Sequence, residues 1–471
     1  MNPSPRRAVV PVVLAGATVA AMAAVTAVMV GGFGYIEPAS RGRFGIAIGL
    51  LWALFALAVV LLRAAPVRAA MVVILAGSVV IGGAAMAGPP NTSTDSARYA
   101  WDGIVQNAGI SPYAHVPQSD ALAGLRTDWL FPEPTSRADG TLHCTQPRTH
   151  LVTAEPSGEK LCTAINRAGV PTIYPAGAEL FFAGVRLLTG PGAAYWPLQL
   201  TGLLMMTGVT VLLLVGLRRR GLDPRWAALW ALCPLVASEA VTNSHIDVGG
   251  ALLALAATFL VSAGRRWRGG ILLGAAIAVK LIPILAAPAI LRRQPWKVVL
   301  GAVATFAVLY IPYVLVSGVA VLGYLPGYLS EEGYDDGSRF VLLTTVLPGP
   351  AAIVVAAVLL AVVAVLVVVF TDPSRPWLGQ VVMIGATLVI VSPRYPWYAL
   401  LLIPFVAMSG RWEWMLVPLA LGVRVVATPA AVSRVALLIA VVAIVAAAIV
   451  RRRSARRGSP PATPVPTRVR T

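Results

Sequence analysis

Charge is scarce in this chain. Asp, Glu, Lys and Arg make up 12% of its 471 residues, where a soluble globular domain is nearer about a quarter, and that shortage excludes an ordinary soluble protein. Strand-period alternation of apolar and polar residues is missing, which excludes a membrane β-barrel. No C-x-x-C spacing occurs among the three cysteines, so a cysteine-based metal site has no sequence support. No phosphate-binding P-loop, dinucleotide fingerprint or H-E-x-x-H helix is present, so no nucleotide cofactor and no metal centre is expected. Lysine is nearly missing: of 37 basic residues only Lys160, Lys280 and Lys297 are lysine.

What fills the chain is apolar. Hydrophobic residues reach 58% and the mean hydropathy is +0.80. They come in runs of about 18 to 25 residues, long enough to cross a hydrocarbon core of about 30 Å. Backbone groups cannot stay unpaired in lipid, so these runs are helices, and the fold class is an all-α polytopic membrane protein. The net charge of +18 sits in short arginine-rich connectors, "RRRGLDPR" from Arg218, "GRRWRGG" from Gly264, "LRRQPWK" from Leu291 and "RRRSARR" from Arg451. Short basic connectors mark the cytoplasmic side and contact anionic membrane lipids; no nucleic-acid partner is expected. "MNPSPRR" precedes an apolar run from Ala8 that is too long for a signal-peptide core of about 7 to 15 residues, and it reads as a retained first helix.

With the connectors inside, parity predicts spans at 8–33, 44–63 and 70–88, then a long external loop at 89–172. A juxtamembrane helix is expected at 175–188 and spans at 193–216, 226–240 and 249–264. The segment 270–292, with Pro283 and Pro288 in mid-run, reads as a broken hairpin of two half-helices. A span at 298–316 leads to a second external loop, 317–340, and spans near 350–370, 377–391, 398–410, 414–428 and 434–450 follow. The resulting units are an N-terminal three-helix segment (1–88), an external catalytic loop with juxtamembrane helices (89–192), a membrane bundle (193–450), and a disordered basic cytoplasmic tail (451–471). Both termini are placed in the cytoplasm of a plasma-membrane protein. On this topology 16 of the 19 acidic residues and all four histidines lie outside, so the outer face is expected to carry the chemistry.

Five stretches gather the candidate residues. In "STDSARYAWDGIVQ", Asp95 is either a helix N-cap or a carboxylate that takes a proton from a sugar hydroxyl. Asp102 follows two turns later on the same face, with Arg98 and Tyr99 between and Gln106 beyond. In "INRAGVPTIYPAGAELFF", Tyr174 and Pro175 open a helix and Glu179 needs a groove to face. In "EAVTNSHIDVGG", Glu239, His245 and Asp247 either cap a turn or bind an acceptor. Lys280, alone in an apolar run, is functional by its cost; a lipid phosphate is favoured over a buried carboxylate as its partner. In "SPRYPWYALLLIPF", Arg394 with Trp397 and Tyr398 sits where an anionic headgroup can be gripped. Cys144 and Cys162 share the first external loop and are expected to form a disulfide, closing about 18 residues for roughly 3 kcal/mol; metal ligation with His143 and His150 is the rival.

Together these stretches resemble the GT-C superfamily of polyprenyl-phosphate-sugar-dependent glycosyltransferases, and most closely glycosyltransferase family 87 with its actinobacterial mannosyltransferases. The likeness runs from Asp95 to Pro404 through D-x-x-R-Y-x-W-D-G at Asp95, G-I-S-P-Y at Gly109, T-I-Y-P at Thr172, H-I-D at His245, V-K-L-I-P at Val279 and P-W-Y at Pro396. It implies a GT-C-like bundle of about 12–14 transmembrane helices with a large external first catalytic loop. It implies inverting transfer of a hexose, mannose first, from a polyprenyl-phosphate donor to a cell-envelope glycolipid or glycan. Metal independence is favoured, with a divalent cation allowed. The family's D-x-x-x-Y aspartate corresponds to Asp95; Arg98, Tyr99, Asp102, Gln106, Tyr174, Glu179, His245, Asp247, Lys280, Arg394, Trp397 and Tyr398 become substrate-binding candidates. This chain departs at Ala176, where members commonly carry a second proline, and at Tyr395, where many carry histidine. Two extra spans also precede the first external loop. An arabinofuranose donor is an alternative within the enzyme class. A secondary transporter is the alternative outside it, motivated by the broken segment at Lys280 and opposed by the lack of repeated halves. The oligomeric state is left open.

Overall fold

The computed structural model describes residues 5–457. Helices dominate, because only intrasegment hydrogen bonds satisfy a backbone in lipid. Three long ones open the chain: α1 (Pro5–Gly32), α2 (Arg41–Ala64) and α3 (Val67–Ala84). α1 packs on both of the others. The two ends of α2, 24 residues apart, are separated by about 36 Å and lie in different surroundings. At one end the Ile36 amide donates to the Asn91 carbonyl at 2.8 Å, four residues before Asp95. At the other, Arg225 donates to the carbonyls of Arg63 and Ala65 at 2.7 and 3.1 Å.

The arginine connectors collect at that second end. Arg220 donates to Ser262 at 3.0 Å, Arg266 to the Arg293 carbonyl at 3.0 Å and Arg292 to the Thr371 carbonyl at 3.4 Å. The loop segments with the candidate residues collect at the first end. α4 (Asp95–Asn107) packs against α5 (Ala176–Thr189). At 14 residues α5 is about 21 Å long, too short to cross a core of about 30 Å. Between α4 and α5 lie two small antiparallel hairpins, β1 (Thr135–Ser136) with β2 (Leu142–His143), and β3 (His150–Thr153) with β4 (Lys160–Thr163). In the second hairpin His150 faces Thr163 and Thr153 faces Lys160. Cys144 and Cys162 are bonded to each other, 18 positions apart.

The bundle continues through α6 (Trp196–Arg219), α7 (Asp247–Ser262), α8 (Arg266–Val279), α9 (Pro295–Ser317), α10 (Gly349–Phe370), α11 (Trp377–Val391) and α12 (Ala430–Arg457). Among the described residues, seven helices are long and apolar enough to cross a membrane, and the bent pair Pro234–Thr242 and Asp247–Ser262 makes an eighth candidate.

Several expected spans take other forms, for local reasons. The stretch 226–240 is not one rod. Pro234 lacks an amide hydrogen, and the chain runs as short helical turns ending in a π-helical turn, Ala237–Thr242. The segment 270–292 is one helix, α8, followed by 3-10 turns at Ile282–Ala286 and Pro288–Ile290, because Pro283 and Pro288 each remove a bond of the α ladder. Near 398–410 and 414–428 the chain again alternates 3-10 turns with short helices. Residues 451–457 continue α12 instead of starting a tail; residues 458–471 lie outside the described part.

Two apolar cores are the largest among the described residues. The larger joins α1–α3, α6, the broken 224–242 stretch and the 396–421 region around Trp230, Leu402 and Phe405. The smaller lies beneath α4, where Tyr99, Trp101, Phe131 and Phe182 meet. Within the larger core α6 meets the π-helical turn at Gly202, where an added Cβ would stand 1.9 Å from the Ala240 carbonyl oxygen. Gly202→Ala is therefore expected to cost about 1–3 kcal/mol by overpacking against backbone, read as a lowered Tm of the detergent-purified protein; an unchanged Tm would show that the α6 contact with the π-helical turn is slack.

Candidate active site

The cap reading of Asp95 fails on geometry. Thr94 occupies the N-cap position of α4 and makes no side-chain cap bond, while Ser93 Oγ accepts the Asp95 amide at 3.2 Å. The Asp95 carboxylate is left to face a cavity of about 670 Å³, within the usual size for a small-molecule site. Its Oδ1 accepts a 2.7 Å bond from Asn166 Nδ2, and its Oδ2 lies 3.7 Å from His245 Nδ1.

Arg98, one turn along α4, also reaches the cavity. Its Nε donates to both carboxylate oxygens of Asp102, at 2.8 and 3.0 Å. Nη1 donates to the Val170 carbonyl at 3.0 Å. Nη2 is buried with no hydrogen-bond partner, an unsatisfied cationic donor in the wall of a pocket.

Further cations line the same space. Lys280, at the end of α8, stands 3.1 Å from Asp247 Oδ2 and over the rings of Tyr174 and Tyr398 at 5.3 and 5.8 Å. Arg394 is half-exposed and 3.8 Å from Glu332, which also pairs with buried Arg339. Arg167 pairs with Glu331 at 2.9 Å, joining the 318–334 segment to the Asn166 loop. The same segment is clasped again at Gly323. Its φ is +52°, and a Cβ there would lie 1.8 Å from the Thr172 oxygen, the carbonyl that accepts the Tyr324 amide at 3.2 Å. Arg167 and Ser244, beside Asn166 and His245, both hold left-handed backbone, which costs a non-glycine residue about 1–2 kcal/mol.

The remaining walls are aromatic and apolar. Trp397 stacks between His245 at 3.8 Å and Tyr395 at 4.5 Å. The hydroxyls of Tyr328 and Tyr398 lie 2.9 Å apart. Leu281, Ile284, Leu285, Leu388 and Val391, from the 3-10 turn after α8 and from α11, form an apolar flank. Tyr35, Ile36 and Thr92 close the Asp95 end.

Of the residues singled out from sequence, Asp95, Arg98, Tyr174, Lys280, Arg394, Trp397 and Tyr398 line this one cavity. Tyr99, Asp102, Gln106, Glu179, His245 and Asp247 do not line it. They form the layer behind the wall. Tyr99 stacks on Phe182 at 4.4 Å. Gln106 donates to Glu179 Oε2 at 2.8 Å and accepts from Tyr313 at 2.6 Å; Thr172 donates to Glu179 Oε1 at 2.7 Å. Asp102 turns away from Asp95 because Arg98, four positions back, captures it. Asn166, Arg167, Tyr35, Tyr328 and Arg424 line the cavity without having been expected. Asn166 and Arg167 stood in a quoted motif, yet an Asn–Arg pair in a loop carries no spacing signal.

Residues 172–393, a little under half of the chain, match the sequence profile of Glycosyltransferase family 87. Over those residues the chain is similar to that family. This glycosyltransferase thus has Tyr174 and Lys280 inside the matched region, with Asp95, Arg98 and Asn166 before it and Arg394 and Trp397 after it. No curated protein and no solved structure matches the chain.

Burial raises Glu179 well above its ordinary value of 4.5, and the nearby Asp102 charge adds to the rise. Asp102 is also raised by burial, against the lowering pull of Arg98. Of the two, Glu179 is the one pushed further toward holding a proton. A group raised in the folded state contributes stability that is full below about 4.5 and lost as pH climbs toward its raised value. Glu179→Gln, neutral and isosteric, is expected to keep the wild-type Tm near pH 5 and to flatten its decline as pH rises above that. A pH dependence identical to wild type would show Glu179 to be ionised throughout.

Proposed function

We propose that this glycosyltransferase moves a hexose, mannose first, from a polyprenyl-phosphate donor to a membrane-borne glycolipid or glycan on the outer face of the plasma membrane. One observation carries the reading: a single cavity holds a lone carboxylate at one end, cations with an unsatisfied arginine donor along its wall, and an apolar flank running down the bundle. A lipid-linked sugar phosphate needs all three. The apolar flank suits the prenyl chain, since lipid delivers the donor sideways. Lys280, Arg98 and Arg394 suit the phosphate, whose charge grows as it leaves. The aromatic wall of Trp397, Tyr398 and Tyr174 suits a sugar ring.

In the proposed step the acceptor hydroxyl oxygen attacks the anomeric carbon from the face opposite the phosphate. Its proton passes to Asp95, the bond from carbon to phosphate oxygen breaks, and the electron pair leaves on the phosphate. One base is enough for a single inverting displacement, unlike the carboxylate pair of hydrolases. Asn166 aims the carboxylate, and three side-chain cations offset the departing charge, so metal-independent transfer is favoured. Tyr35, Ile36 and Thr92, at the Asp95 end, are placed to receive the acceptor. The arginine connectors, gathered at the far end of the bundle, support an outward-facing cavity by the positive-inside rule.

Asp95→Asn is expected to lower kcat by about 10²- to 10⁴-fold, the usual worth of a general base, with radiolabelled polyprenyl-phosphate mannose in membranes. Retained turnover by the folded variant would remove Asp95 from the base role. Running the wild type in parallel with a polyprenyl-phosphate arabinofuranose donor decides the sugar. Mass spectrometry of envelope glycolipids after gene deletion identifies the acceptor.

A further inference from the structure

His245 is fully buried and touches no part of the cavity, yet both edges of its ring meet carboxylates. Nδ1 lies 3.7 Å from Asp95 Oδ2, and Nε2 lies 3.3 Å from Glu239 Oε2. Glu239 is held on its own side. Ser238 Oγ donates to Oε1 at 3.0 Å and Asn243 Nδ2 to Oε2 at 3.3 Å. Asn243 then reaches across to the chain that leads into Asp95: its Oδ1 accepts the amides of Asn91 and Thr92 at 3.3 and 3.2 Å, and its Nδ2 donates to Thr92 Oγ1 at 2.7 Å. The segments carrying Glu239 and Asp95 are therefore laced together around the imidazole.

A neutral imidazole has one N–H and one lone pair. Between two carboxylates it would satisfy one and turn its lone pair on the other. With a proton on each nitrogen both contacts become attractive, and the ring of Trp397, stacked at 3.8 Å, presents a π-face to the charge. The other titratable neighbours do not disturb this arrangement. The Tyr99 hydroxyl is 3.5 Å from Nδ1, and Asp247, two positions along the chain, has its charge matched by Lys280.

We propose that His245 is a buried imidazolium bridging Asp95 and Glu239, a positioning residue that keeps the Asp95 carboxylate anionic and aimed until the acceptor proton arrives. An anionic donor phosphate entering the same cavity pushes a lone carboxylate toward taking up a proton early. A fixed cation behind Asp95 offsets that push. The role rests on the reading of Asp95 as the base, but the charge state is measurable without turnover.

The chain has four histidines, and His115, His143 and His150 lie in the lobe between α4 and α5. The variant H115Q/H143Q/H150Q, labelled with ¹⁵N-histidine and reconstituted in lipid, gives one imidazole to observe by NMR. The expected spectrum at pH 7.5 has a proton on both ring nitrogens. A single protonated nitrogen, with Tyr99 donating to a bare Nδ1, overturns the proposal. A doubly protonated ring in an enzyme that Asp95→Asn leaves active would uphold the bridge while removing the base role. In the transfer assay His245→Gln is expected to lower kcat about 10- to 100-fold through a misaimed base, with donor KM within about twofold. Should His245→Gln not fold, Glu239→Gln is expected to leave a single protonated ring nitrogen in the same spectrum, since one of the two anions facing the ring is gone. Wild-type kcat in His245→Gln, or a ring still doubly protonated in Glu239→Gln, refutes the assignment.

Discussion

The ion pair between Arg98 and Asp102 fixes the wall on which the site is built. Both side chains are buried, and a lone buried charge is far costlier than a matched one. Asp102 therefore holds the guanidinium in one orientation. From that orientation Nη1 reaches the Val170 carbonyl and ties α4 to the loop that supplies Asn166 and Tyr174, while Nη2 remains as a donor with nothing to bind. Removing the carboxylate would strand the arginine at a cost of about 3–5 kcal/mol and release both consequences together.

The same device recurs around the cavity. Lys280 is matched by Asp247, and Glu332 by Arg339 with Arg394 at longer range. Lys280 and Arg394 stand at the cavity, with Asp247 and Glu332 behind them. The inner partners Asp102 and Asp247 come from stretches far apart in sequence, and the Lys280–Asp247 pair ties the end of α8 to α7. The opposite flank, from Leu281 to Leu285 and along α11, needs no such pairing because its side chains are apolar.

Much of this was legible in the residues. The apolar runs announced membrane helices, and the arginine connectors marked one end of the bundle, because hydrocarbon length and charge cost act on local composition. Asp95, Lys280 and Arg394 stood out for the same reason: each is an ion where ions are expensive. What composition cannot tell is which side of a wall an ion faces. Asp102, His245 and Asp247 carry the same signature, yet they serve as partners to the lining residues, while Glu179 bonds Gln106 and Thr172 in the layer behind. That distinction depends on contacts such as Arg98 with Asp102, where a four-residue helical spacing outcompeted the seven-residue face shared with Asp95. Asn166 was illegible for the opposite reason: a neutral amide in a loop costs nothing and so attracts no attention, although it holds Asp95 at 2.7 Å. The broken stretches at 226–242 and 396–415 were misjudged as rods because hydropathy averages over prolines.

The bond between the Ile36 amide and the Asn91 carbonyl has a bearing on how such an enzyme diversifies. It seats the turn between α1 and α2 against the rim beside Asp95, so that Tyr35 and Ile36 border a cavity whose lysine and apolar flank come from residues some 250 positions later in the sequence. Under the proposed chemistry, recognition of the incoming hydroxyl and recognition of the lipid phosphate are written in separate stretches of the gene. An N-terminal hairpin can then drift, be exchanged or be lost, retuning what is glycosylated while the machinery that grips the prenyl-linked sugar stays as it is.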